Sequence, residues 1–325
     1  MYKIFIENFT RNCRNFYLGL LLFILSYIPI FLPENIINSI DSITLIKPII
    51  TYVFFCMGLI IVIESITYKI KKYSLIAHIF ENRKHFIQFY ILSVLSIILL
   101  DLVGASMSKL WYYPGLGLSI RGILNTIFLY LAGSFFCILV IFEIIILFKI
   151  LITKYFKVST FSTVDKPIVK PIFLLVSGIV FLILSLIQFT LETIKIGNYD
   201  FRYNLSVSNS VSFVFPVLIS IAFFLLMEYV AIIKNKHTFL NYNLISNFQL
   251  IAAIILATLL ISLLMETKNA VKIEQYWVYT NWPFQKYKIF ELPASMLFMW
   301  IIQDIFFIEL FNSIEKDSEL KVLFD

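Results

Sequence analysis

The sequence predicts an all-α, polytopic integral membrane protein of eight transmembrane helices arranged as two parallel four-helix repeats. Three observations lead there. Of 325 residues, 60% are hydrophobic and 14% charged, at a mean hydropathy of +0.91, whereas a soluble domain is about a quarter charged. Eight apolar stretches are long enough to cross a hydrocarbon core of about 30 Å, which takes about 20 helical residues. Finally, the chain places the same polar residues twice: Glu64, Asp101, Trp111 and Glu143 follow one another at 37, 10 and 32 residues, and Glu228, Glu266, Trp277 and Glu309 at 38, 11 and 32.

The spans fall near 16–32, 45–66, 87–107, 122–150, 171–191, 211–233, 244–265 and 289–313. Unpaired backbone groups cannot face lipid, and continuous apolar runs lack the alternation of a barrel strand, so helices are required. No small-x-small cleavage site follows the first span, and the first alanine is Ala77, so this span reads as retained rather than as a signal peptide. Five alternate flanking segments, 1–15, 69–86, 154–170, 234–243 and 314–325, carry 16 Lys and Arg against 9 in the four others. The positive-inside rule puts both termini in the cytoplasm, and the net charge of +6 reads as topology signals meeting anionic headgroups rather than as a nucleic-acid surface. Cys13, Cys56 and Cys137 are odd in number and lie within or beside spans, which suits free or buried thiols and no disulfide framework.

The repeat extends beyond the acids. Leu22 to Ser26 (LFILS) matches Phe181 to Ser185 (FLILS). Four spans per half is an even number, so both halves enter the bilayer in the same orientation, which makes a parallel repeat with its axis along the membrane normal. Residues 1–153 form the first repeat, 154–170 a basic cytoplasmic linker, and 171–325 the second repeat.

Familiar catalytic motifs are missing. His78, His85 and His237 are expected in cytoplasmic loops, with no partner at metal-ligand spacing, and there is no P-loop, dinucleotide fingerprint or nucleophile elbow, so neither metal nor cofactor is expected. Carboxylates and aromatic rings remain. An acid within a span costs roughly 2.5 to 3.5 kcal/mol on insertion scales, so Asp101, Glu266, Asp304 and Glu309 should turn into the bundle. Asp101 and Glu266 fall beneath outer loops carrying Trp111, Tyr112 and Trp277, Tyr279. Asp304 lies one turn after Trp300 and on its face, while Glu64, Glu143, Glu228 and Glu309 fall toward the cytoplasmic side. A carboxyl in apolar surroundings acts as a general acid, and aromatic faces stabilise developing positive charge. The expected pocket therefore has Asp304, Asp101, Glu266 and Glu309 as its acids and Trp111, Trp277, Trp300, Tyr112 and Tyr279 as its lining.

The runs Leu100-Asp101, Leu110-Trp111-Tyr112-Tyr113-Pro114 and Phe142-Glu143, with Leu292-Pro293 in the second half, resemble the repeat of the membrane lycopene cyclases of bacteria and archaea. The likeness covers about 80 residues of each half. It implies two related halves, a prokaryotic inner membrane, and cyclisation or isomerisation of an isoprenoid or carotenoid-type lipid without net redox change. That family carries two glutamates after the proline, where Ser295 and Met296 stand here, and this moves the expected proton donor about two turns onward to Asp304. The partner is then a membrane lipid or polyisoprenoid. Two other readings stay open: a transporter or flippase with a central polar path, and a non-catalytic membrane subunit. The sequence does not set the oligomeric state.

Overall fold

The computed structural model describes residues 13–28, 52–113, 120–156, 169–196, 213–236, 238–240, 244–270, 277–280, 282–284, 286–290 and 292–314. Among them six helices are long and apolar enough to cross a membrane: Arg83–Met107, Gly122–Tyr155, Pro171–Lys195, Val214–Ile233, Phe248–Lys268 and Ala294–Ile314. The shortest has 20 residues and reaches about 30 Å at 1.5 Å per residue. The chain is thus a multi-pass, α-helical membrane protein.

In chain order the helices among the described residues are α1 (Cys13–Leu25), α2 (Phe54–Lys71), α3 (Leu75–Glu81), α4 (Arg83–Asp101), α5 (Ile120–Phe128), α6 (Ser134–Tyr155), α7 (Pro171–Ile196), α8 (Val214–Ile233), α9 (Leu244–Ala270) and α10 (Ala294–Ile314). Two stretches of wider i to i+5 turns, Leu102–Met107 and Leu129–Gly133, prolong α4 and join α5 to α6. Two antiparallel ribbons also lie among the described residues, β1 (Trp111–Tyr112) with β2 (Val278–Tyr279) and β3 (Lys288–Ile289) with β4 (Leu292–Pro293).

The ends of several helices differ from the apolar pattern, each for a local reason. α1 has 13 residues, about 20 Å, and the rest of the expected first span lies mostly outside the described residues. α2 runs past Glu64 to Lys71 and stops where Lys72 turns left-handed at φ 57°, because the Glu64 carboxyl is taken up inside the protein instead of marking the end of the span. The stretch 69–86, expected as a loop, holds α3 and the first turn of α4, each opened by a capping side chain: Ser74 Oγ accepts from Ala77 N and Asn82 Oδ1 from Lys84 N, both at 2.9 Å. His78 and His85 therefore stand on helices, while His237 lies outside the described residues. Lys268, counted with the loop after the seventh span, instead belongs to α9, where it is buried and donates to Ser26 Oγ at 3.0 Å over the Phe55 ring. The last span opens at Ala294, after the β3–β4 ribbon has used Leu292 and Pro293. Most of the linker 154–170 is outside the described residues.

The core crosses the middle of the chain. Phe89 of α4, Phe142 of α6 and Phe311 of α10 are fully buried, and the Phe311 ring meets the other two at 5.1 and 5.0 Å. Lipid tails are as apolar as phenylalanine, so close fit and internal polar bonds hold such a core rather than expulsion from water. Close fit is most demanding where α1 crosses α2: a Cβ on Gly58 would stand 2.5 Å from Phe23 N and 2.8 Å from Gly19 O, so only glycine lets these backbones approach.

Candidate functional site

At one end of the bundle, α4 ends its regular turns at Asp101 and continues in wider ones to Met107. Lys109, at φ 54°, then turns the chain back, and Leu110 N donates to Gly104 O at 2.9 Å. The return lays the Trp111 indole directly on Gly104 and carries its N–H to the acid. Asp101 Oδ1 accepts from Trp111 Nε1 at 3.1 Å and from the Tyr113 hydroxyl at 2.9 Å, and Oδ2 accepts from the Tyr130 hydroxyl at 2.9 Å. Tyr130 comes from the second stretch of wide turns, so both irregular stretches serve this one carboxyl, in keeping with the frequent occurrence of such turns at functional sites.

Glu266 of α9 is held in the same way. Its Oε1 accepts from Trp277 Nε1 at 3.2 Å and from the Tyr279 hydroxyl at 2.7 Å, and Trp277 Nε1 also points at the Tyr279 oxygen at 2.8 Å. Residues two apart on a strand share a face, which is why a Trp-x-Tyr sequence can close on one acid. β1 and β2 are paired to each other, Trp111 opposite Tyr279 and Tyr112 opposite Val278. Thr280 adds a bond from its N–H to Leu110 O at 2.8 Å and another from its hydroxyl to Lys109 O. Burial and the adjacent carboxylate push the Tyr113 and Tyr279 phenols well above their ordinary range, so both remain donors at neutral pH.

Beneath this ribbon lies a half-open cavity with about 870 Å3 of empty space, part of it continuous with the surroundings. Trp111, Tyr113, Trp277, Tyr279 and Trp300 contribute aromatic walls, α6 contributes Cys137 and Ile141, and Gln303 and Asp304 of α10 supply polar groups. Thr258 of α9 donates to Asp304 Oδ2 at 2.6 Å and so orients a carboxyl that belongs to the cavity lining. A second half-open cavity, with about 640 Å3 of empty space that includes its open side, lies against α8 and is lined by Pro216, Ile219, Phe223, Trp282 and Phe306 among others.

At the opposite end are two pairs of acids. The Ser74 hydroxyl donates to Glu64 Oε1, the amides of Leu75 and Ile76 face the same carboxyl, and Glu143 lies against it. In the second pair, Glu228 accepts from Phe239 N at 2.9 Å and Leu240 N at 3.4 Å, with Thr238 facing it and Glu309 beside it. The three contacting residues stand 10, 11 and 12 positions after the acid in both cases. Nearby, Lys234 Nζ donates to Ser313 O at 2.6 Å and Lys236 Nζ to Asn312 O.

The expected pocket is thus divided. Asp304, Trp111, Trp277, Trp300 and Tyr279 share one cavity. Asp101 and Glu266 stand behind its walls, holding the aromatic side chains instead of lining it. Glu309 belongs to the far acid pair, five residues and more than one helical turn beyond Asp304, and Tyr112 does not line the cavity because it alternates to the other face of β1. Tyr113, Tyr130, Thr258, Ser74 and Thr238 were not expected. The spacing signal for three of them was present: Tyr113 repeats as Tyr279 two residues after each Trp, and Ser74 repeats as Thr238 ten residues after each second-span Glu. Among the described residues no group of three or more His, Cys, Asp or Glu side chains is placed to hold a metal ion. Comparison with protein families, with curated proteins and with solved structures finds no match.

Proposed function

We propose that the protein is an eight-span membrane protein of two related halves that takes an isoprenoid-type lipid into the aromatic cavity and protonates it at Asp304. The single observation that carries this reading is the placement of the Asp304 carboxyl in an apolar cavity walled by three tryptophans and three tyrosines, without a basic residue in the lining. In the step envisaged, the Asp304 O–H bond breaks and a C–H bond forms at a terminal alkene. The resulting carbocation lies among ring faces that stabilise positive charge, closes on a neighbouring alkene, and returns a proton to the carboxylate from the adjacent carbon. No electrons are gained or lost, and the product is an isomer. This is the chemistry implied by the resemblance to membrane lycopene cyclases, with Asp304 in place of that family's glutamate pair.

The two-halves reading is supported by the packing. α1 packs on α2 as α7 does on α8, α2 on α6 as α8 on α10, α4 on α6 as α9 on α10, and α6 on α9 as α10 on α4. In the β1–β2 register the equivalent residues Tyr112 and Val278 face each other, as a two-fold axis between them requires. Under this reading α1 and α2 complete the count of eight spans, the positive-inside rule places the acid pairs at the cytoplasmic face, and the membrane is a prokaryotic inner membrane.

The test is expression in a lycopene-producing cell, with solvent extraction and mass spectrometry of what co-purifies. The wild type should retain a polyprenyl lipid and yield an isomer of it, and Asp304→Asn should retain the lipid and lose the product. Neither retained lipid nor product from the wild type overturns the reading. Transport is the second reading, favoured by carboxyls at both ends of the bundle and at Asp304 between them. It requires proton uptake into vesicles that Asp304→Asn abolishes.

A further inference from the structure

The two cavities are separated by a thin partition. Leu100, Trp111, Met296 and Gln303 line both of them, so each of these side chains has one surface in either chamber. Two of them can move: Met296 and Gln303 are long, flexible side chains whose rotamer changes require no helix movement. Trp111 is the fixed post. Its indole is bonded to Asp101, rests on Gly104 and lies nearly parallel to Trp282, 11° between planes at 6.4 Å. The chambers also correspond in part under the two-halves reading: the first is bounded by Tyr52, α4, α6, α9 and α10, and the second by α8, α10 and α4, of which α10 and α4 are the counterparts of α6 and α9. They differ in one respect. The first contains Asp304, whereas the lining of the second is apolar and aromatic with Ser220 and Gln303 as its uncharged polar side chains and no carboxyl.

From this we propose that the two chambers form one path for a single extended apolar chain, which passes between Met296, Gln303 and Trp111 with one end at Asp304 and its remainder against Ile219 and Phe223. The inference rests on the lipid-binding reading above and deepens it. The ligand class is a linear isoprenoid too long for either chamber alone, and only one of its ends meets an acid. One-ended modification follows, because the second end lies where no side chain donates a strong-acid proton. Selection by length follows too. A ligand arriving from the bilayer gains little from leaving an equally apolar solvent, so affinity comes from close packing along the path, and a chain that fills both chambers makes about twice the contacts of one that fills the first.

The experiment uses the full-length protein in lipid nanodiscs, with tryptophan quenching by isoprenoid alcohols of ten, fifteen, twenty and thirty carbons. Affinity should rise with chain length by about tenfold in total, a factor equivalent to about 1.4 kcal/mol. Ile219→Trp, which fills the second chamber away from Asp304, should reduce the longest chains to the affinity of the shortest and leave the shortest unchanged. Phe223→Trp provides an independent obstruction should Ile219→Trp fold poorly. Affinity that does not depend on length, or obstruction that weakens all lengths equally, overturns the two-chamber path while leaving lipid binding intact. No quenching by any length removes the lipid-binding reading itself. Length-dependent binding without product supports the path and removes only the chemistry at Asp304.

Discussion

A single methyl group at Gly104 tests how the aromatic end is built. A Cβ placed there would lie 1.9 Å from Trp111 Cη2, 2.4 Å from Cζ3 and 2.6 Å from Cζ2. Carbon atoms in contact prefer about 3.5 to 4.0 Å, so the indole must move by roughly 1.5 to 2 Å, more than the 3.1 Å hydrogen bond to Asp101 tolerates. Overpacking costs about 1 to 3 kcal/mol, and loss of a buried bond to a charged acceptor about 1.5 to 3 kcal/mol. Gly104→Ala should therefore destabilise the protein by about 2.5 to 6 kcal/mol in equilibrium unfolding in mixed micelles, with a shift in tryptophan emission as Trp111 leaves its site. Gly133→Ala is the control. Its Cβ would meet nothing closer than a Tyr52 ring carbon at 3.4 Å, and a change within about 1 kcal/mol is expected. A double-mutant cycle isolates the clash: in a Trp111→Leu background Gly104→Ala should become nearly neutral, giving a coupling of at least about 2 kcal/mol. Additive effects of the two substitutions, or unchanged emission from Gly104→Ala, would refute the close approach of this glycine and tryptophan.

Other expectations follow from the same geometry. With the native cysteines replaced by serine, Tyr112→Cys and Val278→Cys should form an intramolecular disulfide under mild oxidant, since directly opposed strand residues have Cβ atoms about 4.5 to 5.5 Å apart; failure to crosslink contradicts the ribbon. Glu228→Leu should free the segment at Thr238 to Leu240, seen as faster proteolysis there, and should cost about 2 to 4 kcal/mol through two orphaned amides; unchanged protection would show that the carboxyl does not anchor that turn. In an ultraviolet titration, Tyr113 and Tyr279 should ionise after ordinary tyrosines, which do so near pH 10. Because their folded-state values are raised, the stability they contribute is fully present below pH 10 and is lost as pH rises further. Tyr279→Phe should remove one late-ionising phenol and leave the early part of the curve unchanged.

The helical membrane class was legible in composition alone, and the acid and tryptophan spacings pointed to side chains that the fold does bring together. Asp101 with Trp111, and Glu266 with Trp277, are hydrogen-bonded pairs at the separations read from the sequence. What the spacings could not convey was role. An acid ten residues before a Trp looks the same whether it lines a cavity or anchors the wall, and here the strand alternation of β1 and β2 decides for the wall. Tyr112 was misplaced for that reason: its neighbours Trp111 and Tyr113 turn toward Asp101, so it faces away. Asp304 was recognisable as an isolated acid on the face of Trp300, but its partner Thr258 lies 46 residues earlier, with no repeat or motif to mark it. The extent of α2 was obscured because Glu64 looked like the charged end of a span, and only the Ser74 turn, distant from the apolar run, shows where its carboxyl goes.

The two-residue ribbon has a consequence for biosynthesis. The strand partner of Tyr112 is Val278, which the ribosome adds 166 residues later. At translation rates of about 5 to 20 residues per second this interval is roughly 10 to 30 s, during which the amides and carbonyls of the first strand have no ladder to join. The first half must wait at the translocon with an unpaired edge, shielded by water, lipid headgroups or an insertase, until the second arrives to close it. Severed halves should therefore accumulate only when made together in one cell, and the half made alone should be degraded.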